Sequence, residues 1–354
     1  MTKTSEGLGK KIKDTANALL EASRSGAFAL IRYHNDADGI CAALSIGKIF
    51  FNPPPLFIPS HSATYSLEEA EDDAEILLKK EKPLCILLDF GVNDESVRAI
   101  GRLKDEGIEV LIIDHHPISN RLQHVDFLVS PLLYSLSSDY TTGFLCAQIA
   151  KYAGISDKSV DMYGRVSIAG DKSELIKVGE KERKAAMILE FVSSSSEFPK
   201  NVQYYERVLE DKELFDSLWL CAKDKFEKIL EGSRTCTRVV EKEKWKLYYI
   251  NVDKLTKREH FPSKAKALTV IFDAICEVES KKAVIVVGWG DALIVFRANR
   301  EAIEAGFDSI KVIEMVKAEI GNAIRSGGGH RAAASIRTKR GFGPIILREI
   351  ERMI

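Results

Sequence analysis

The sequence predicts an α/β protein: a mainly parallel sheet with flanking helices in the N-terminal part, a helical connector, and a smaller α/β domain at the C-terminal end. Three observations carry that prediction. From residue 26 short apolar runs alternate with longer amphipathic ones, the pattern of βαβ units. From residue 181 to about 230 the period is helical with few strand signals. After Glu241 strand-like and helical runs resume with a different charge balance. The expected boundaries are 1–185, 186–240 and 241–354.

In order along the chain, residues 28–33, 84–88, 108–113 and 127–129 have strand length and are almost wholly apolar, as expected for parallel strands buried on both faces. Residues 39–51 and 92–106 supply the intervening helices, and 142–153 and 159–169 read as two more. In the last part, 245–252, 283–289, 292–298 and 332–337 read as strands, and 264–276, 309–325 and 344–353 as helices, with Ser263 and Asp308 as N-caps.

Composition excludes several classes. The 354 residues are 45% hydrophobic and 29% charged, which suits two globular domains and argues against a disordered or fibrous chain. The longest apolar stretch, 283–296, is interrupted by Asp291 and is too short for a bilayer, where about 20 apolar residues are needed. The N-terminus is charged and amphipathic without an apolar signal core, so a cytoplasmic protein is expected. Six cysteines lie far apart without a CxxC pair and read as buried thiols. Net charge is −1, but Glu241 onward holds 21 Lys+Arg against 15 Asp+Glu, net +6, leaving −7 before it. An acidic part suits cations and a basic part suits phosphates.

The chemistry gathers where strands end. Ligands of open parallel sheets sit at the C-terminal strand edge. Three strand ends there read His34-Asn35-Asp36-Ala37-Asp38-Gly39, Asp89-Phe90-Gly91 and Asp114-His115-His116-Pro117. Singly, each has an ordinary reading: Asp38 as the N-cap of the next helix, Asp89 as a cap or turn residue. Together they bring four carboxylates and three imidazoles to one edge, and such a group repels itself unless a cation is present. Carboxylate and imidazole without thiolate suit Mn²⁺ or Mg²⁺, with zinc an alternative. Asp171, ending a helical run, is a further ligand candidate or a surface turn. In the C-terminal part, Gly327, Gly328 and Gly329 followed by His330 and Arg331 suggest a glycine-rich turn offering amides, an imidazole and a guanidinium to a phosphate. Ser138-Asp139-Tyr140-Thr141-Thr142-Gly143 could offer a helix N-terminus to a phosphate or be a simple cap. Tyr33, Phe90, Trp245 and Trp289 read as core rather than base-stacking platforms.

Asp-Ala-Asp-Gly at 36–39, Leu-Asp-Phe-Gly at 88–91, Asp-His-His-Pro at 114–117, Ala-Gly-Asp at 169–171 and Ser-Gly-Gly-Gly-His at 326–330 follow the motif order of the DHH phosphoesterase superfamily. The sequence resembles the branch with a DHH-associated C-terminal domain, most of all the archaeal RecJ-like single-strand exonucleases, over about residues 26–340. The resemblance implies a DHH domain followed by a substrate-binding domain, and hydrolysis of single-stranded DNA or RNA with Mn²⁺ or Mg²⁺, two ions in all. It implies Asp36, Asp38, Asp89, His115 and Asp171 as metal ligands, Asp89 bridging, and His116 orienting the scissile phosphate. Arg297 matches the family's phosphate-binding arginine, beside the Gly327–Arg331 segment. Many relatives carry a histidine four residues before the first motif aspartate; Arg32 stands there, and His34 is the candidate replacement ligand. The resemblance leaves two other readings: a nano-RNase or phosphoadenosine phosphate phosphatase acting on short substrates, and a scaffold of the replicative helicase associated with GINS.

Overall fold

The computed structural model describes residues 3–62, 64–123, 125–256 and 261–354. The chain divides into two compact units, Met1–Ser193 with Glu197–Trp219, and Ser194–Ser196 with Leu220–Ile354. The stretch 186–240, expected as a connector, is shared between them.

The first unit begins with α1 (Lys3–Arg24) and then alternates strand and helix: β1 (Phe28–His34), α2 (Ala37–Gly47), β2 (Leu56–Ser60), α3 (Leu67–Leu77), β3 (Pro83–Leu88), α4 (Asp94–Asp105), β4 (Glu109–Ile113) and β5 (Phe127–Val129). The five strands are all parallel in the order β2-β1-β3-β4-β5. The apolar runs of β1, β3 and β4 are buried along nearly their whole length because helices cover both faces. On one face Leu30, Cys85, Leu87 and Ile112 pack against Ala70, Ala74 and Leu77 of α3 and Ala99 and Leu103 of α4. α2 is buried at ten consecutive positions from Ala37 to Ile46, so it is a central element and needs no polar face. Helices α5 (Thr142–Tyr152) and α6 (Lys158–Gly170) pack against it, followed by α7 (Glu180–Ser194), α8 (Val202–Glu210) and α9 (Lys212–Cys236), which belongs to the first unit as far as Trp219.

Sequence reading did not identify β2 or α3. Pro59 lies inside β2, which is tolerated because β2 is an edge strand. α3 is rich in acidic residues, and its signal is the capping box of Ser66 and Glu69.

In the second unit β6 (Thr237–Glu241), β7 (Lys246–Asn251), α10 (Lys264–Val278), β8 (Val284–Trp289), β9 (Leu293–Ala298), α11 (Arg300–Glu304), α12 (Ser309–Ile320), β10 (Ile324–His330), β11 (Ala333–Thr338) and α13 (Gly343–Met353) form a six-stranded sheet ordered β10-β11-β9-β8-β7-β6. Only β7 and β8 run parallel. One face packs on α12 and α13 through residues such as Phe296, Ile336, Ile313 and Ile346. The other packs on α10 through Tyr248, Val286 and Val295 against Leu268 and Ile271.

Two expectations are corrected here. The segment at 326–330 is not a turn: it lies in β10, an edge strand, and the helix expected over 309–325 stops at Ile320 to make room for it. Of the cysteines, Cys41, Cys85 and Cys146 are buried, but Cys221 is exposed and Cys236 and Cys276 are half-buried; none of the six is in a disulfide. Tyr33 and Phe90 are buried, and Trp245 and Trp289 pack against the second unit's core.

Candidate metal centre and anion-binding face

The first strand end is shaped by a helix cap. Asp36 is extended and its Oδ1 accepts the amides of Asp38 at 3.1 Å and Gly39 at 3.0 Å, so it caps α2, the role that local sequence had suggested for Asp38. A Cβ on Gly39 would lie 2.1 Å from the carbonyl oxygen of His34, so no other residue fits this close return of the chain. Asp38 is thereby released to point inward. Its carboxylate accepts the amides of Thr142 at 2.9 Å and Gly143 at 2.7 Å and the Ser167 hydroxyl at 2.5 Å. The N-terminus of α5, a candidate phosphate site on sequence grounds, is therefore filled by the chain's own carboxylate.

Asp89 directly follows β3 and lies in the left-handed region, φ 67°, where Asp is among the more tolerant residues. It accepts the Thr142 hydroxyl at 3.1 Å. His34 Nδ1 lies 2.8 Å from Asp36 and 3.6 Å from Asp89. After β4, His115 Nδ1 lies 2.6 Å from the Ser138 carbonyl oxygen. A carbonyl only accepts, so Nδ1 carries the proton and Nε2 of the neutral ring is a bare acceptor. That atom is buried without a hydrogen-bond partner among the described residues, 3.2 Å from Asp171, 3.6 Å from Asp89 and 3.8 Å from Asp38. His116 Nδ1 bonds Asp114 at 2.9 Å and stands 3.6 Å from Asp89.

Three sets of donor atoms lie within 4.8 Å of one another: Asp38, His115 and Asp171; His34, Asp36 and Asp89; and Asp89, His115 and His116. The structure thus brings together all of the first unit's predicted site residues. Burial, then the neighbouring Asp89 charge, pushes the Asp38 carboxyl up to about 7. Asp171, exposed as a residue but with its carboxylate turned inward, is raised by burial and then by the Asp38 and Asp89 charges. Burial would also raise Asp89, but the His34 hydrogen bond and the imidazole charges hold it below the usual carboxylate range. His116 resists burial and rises to about 9 through Asp114. Without a cation the buried carboxylates are driven toward protonation; a divalent ion held by these residues would remove the same repulsion. Burial raises the Cys41 and Cys146 thiols and so keeps thiolate out of the donor set.

Arg32 does not belong to this cluster. Its guanidinium makes a bidentate bond to Asp73 of α3 at 2.6 and 2.5 Å, Tyr65 donates to Asp73 at 2.9 Å, and Glu69 lies 3.5 Å away. Sequence reading also passed over Ser138, Thr142 and Ser167 as ligand-orienting groups, since hydroxyl and carbonyl partners leave no spacing signal. His61, exposed just after β2, follows Ser60, whose register partner is His34; parallel strand ends were its available signal.

In the second unit Arg297 pairs in register with Ala333, and Ala333 with His330, so the three lie in one row across β9, β11 and β10 and share a face of the sheet. Arg297 donates to Thr269 of α10 at 3.2 Å and to the Phe296 carbonyl at 2.8 Å. Gly328 lies on that face, Gly327 abuts Ile313 on the other, and Gly329 pairs with Ala334. Arg331 is drawn away to Asp308, the N-cap of α12, at 3.0 Å.

Residues 29–165 match the family model described as the DHH family, N-terminal domain. The chain is 26% identical over 400 aligned positions to the uncharacterized protein MJ1198 of Methanocaldococcus jannaschii, covering 95% of this chain and 53% of that one; it spans about half the length of this curated relative. Among solved structures, the DHH domain of a protein described as a member of a ribosomal-protein family superposes with a TM-score of 0.87 at 21% identity, covering 100% of this chain and 92% of the other. An exonuclease RecJ bound to manganese superposes with a TM-score of 0.61 at 14% identity, covering 97% and 94%. Residues 29–165 thus carry the likeness to the DHH family's N-terminal domain, and the fold of the chain is shared with RecJ.

Proposed function

We propose that the chain is a divalent-metal-dependent phosphodiesterase that removes nucleotides from single-stranded DNA or RNA. The observation that carries this reading is the buried, unpartnered Nε2 of His115 facing the carboxylates of Asp38, Asp89 and Asp171. His34, Asp36, Asp38, Asp89, His115 and Asp171 would hold Mn²⁺ or Mg²⁺, with Asp89 common to two of the donor sets. Bound divalent ions lower the pKa of water and offset charge on a phosphoryl oxygen.

The chain's own groups do the positioning. Ser138 fixes the His115 tautomer; Thr142, Gly143 and Ser167 fix both Asp38 oxygens; Thr142 also fixes Asp89. His116, kept protonated by Asp114, offers its Nε2 proton to the scissile phosphate or its leaving oxygen. Arg297, His330 and the Gly327–Gly329 strand of the second unit hold substrate phosphate, with Arg331 contributing only on leaving Asp308.

The test is a panel of end-labelled single-stranded DNA, single-stranded RNA, a dinucleotide and phosphoadenosine phosphate, each with Mn²⁺ and with EDTA. Stepwise, EDTA-sensitive shortening of the long substrates is expected. EDTA-sensitive hydrolysis confined to the two short substrates would replace the exonuclease with a small-substrate phosphatase, and none on any member would overturn the hydrolase.

A further inference from the structure

The row of Arg297, Ala333 and His330 is one end of a longer strip, half-buried at Arg297 and Ala333 and exposed at His330. On the same face, β11 continues with Ser335 and then Arg337, whose register partners on β10 are Gly328 and Ser326. Facing residues alternate along each strand, so Ser326, Gly328 and His330 form one rail and Ala333, Ser335 and Arg337 the other. Between the two ends the floor is small and uncharged.

Charge on the strands favours an anion, while Asp273 of α10 acts on Arg297, at the other end of the strip from Arg337. β9, β10 and β11 together contain Arg297, Arg325, Arg337 and His330 and no aspartate or glutamate. Arg337 and His330 are exposed, and neither side chain has an ion pair or hydrogen bond among the described residues. The apolar residues packed with α10 come from β7, β8 and the start of β9, while Ser326, Gly328 and His330 on β10 are exposed. An exposed arginine without a protein partner leaves its planar fork free for phosphate oxygens, which accept it bidentately.

We propose that Arg337, with Ser326, forms a second phosphate subsite. The four-residue separation of Ala333 and Arg337 along β11 is about 13 Å at ~3.3 Å per residue. That span suits two successive nucleotides of an extended single strand laid along β11, and exceeds what one phosphate can bridge. The substrate class is then an oligonucleotide of several residues rather than a dinucleotide or a free mononucleotide. The inference rests on the reading of the second unit as the phosphate-holding part, and extends it.

The test is fluorescence anisotropy of the whole chain with a labelled twelve-residue oligothymidylate, in EDTA so that no hydrolysis enters, over a series of salt concentrations. Arg337→Ala should weaken binding about five- to tenfold and reduce the slope of log affinity against log salt by about one. Arg337→Lys should restore the slope. Arg348→Ala, an exposed arginine on α13 on the opposite side of the sheet, should change neither. Wild-type affinity and slope in a folded Arg337→Ala variant, an equal loss in Arg348→Ala, or no binding by the wild type would each overturn the subsite. Loss of the hydrolase reading would show instead as absent EDTA-sensitive cleavage, with the Arg337→Ala binding defect still measurable.

Discussion

β1 supplies residues to two buried charge clusters that the chain treats in opposite ways. At Arg32 the acidic neighbours Asp73 and Glu69 are answered by a guanidinium, and both carboxylate oxygens of Asp73 have a donor from Arg32 or Tyr65. Two residues on, at His34, the acids Asp36, Asp38, Asp89 and Asp171 have amides, hydroxyls and imidazoles around them but no ion pair with Lys or Arg among the described residues, and one imidazole nitrogen is left bare. The first cluster is complete as folded. The second is complete only with protons or a cation. The contrast separates a structural ion pair from a binding site without reference to any relative: what matters is whether the chain itself neutralises the acids it buries.

The sharpest way to break this comparison is to delete the shared carboxylate. Asp89→Ala should lower EDTA-sensitive hydrolysis by about 10³-fold or more, equivalent to several kcal/mol of lost charge stabilisation, while the far-ultraviolet circular dichroism stays unchanged. Near-normal turnover would remove Asp89 from the site. Arg32→Ala is the mirror experiment: it leaves Asp73 buried and unpaired, and should cost about 3–5 kcal/mol in denaturant unfolding with or without metal. A loss that Mn²⁺ rescues would merge the two clusters.

A smaller effect comes from metal and pH. Saturating Mn²⁺ at about 100 times its Kd should add about 2.7 kcal/mol of stability, and Asp38→Asn should abolish most of the gain. In the metal-free chain Asp38, raised to about 7 from about 4 when unfolded, stabilises as the acid; that contribution is whole below about pH 4 and is lost as pH rises through about 7. His116, raised to about 9 from about 6.5, loses its contribution between about 6.5 and 9, in the same direction. The metal-free melting temperature should therefore fall from pH 5 to 9, and fall less with Mn²⁺; a rise across that window would contradict the cluster's electrostatics. The smallest change is Glu69→Gln, which keeps the capping geometry at Ser66 and removes only the partly buried charge 3.5 Å from Arg32. It should cost less than about 1 kcal/mol in the same unfolding assay.

The ligand candidates were legible because parallel strands deliver their C-terminal ends to one edge, so Asp36, Asp89 and His115 could be grouped from apolar runs alone. The supports were not. Which aspartate caps α2 depends on a two-residue choice of helix start, and the partner of Asp38 lies more than a hundred residues away at Thr142 and Gly143. Arg32 was visible as a departure from the family pattern, yet its meaning required α3, whose acidic sequence hides Asp73. In the second unit glycines at 327–329 read as a turn, because glycine carries no side chain from which strand alternation can be read; the register with β11 makes them a strand.

The bond from Asp38 to the start of α5 has one more consequence. Two of its three donors are main-chain amides, which persist whatever side chain Thr142 carries, so most replacements there leave the anchor standing. Gly143 is the exception: an added methyl group would sit 2.7 Å from the Ser167 Cβ and 3.0 Å from the Asp38 carbonyl oxygen. The weak point of the centre is thus a residue with no functional group at all, and random mutagenesis should find inactive, folded chains at position 143 as readily as among the acids.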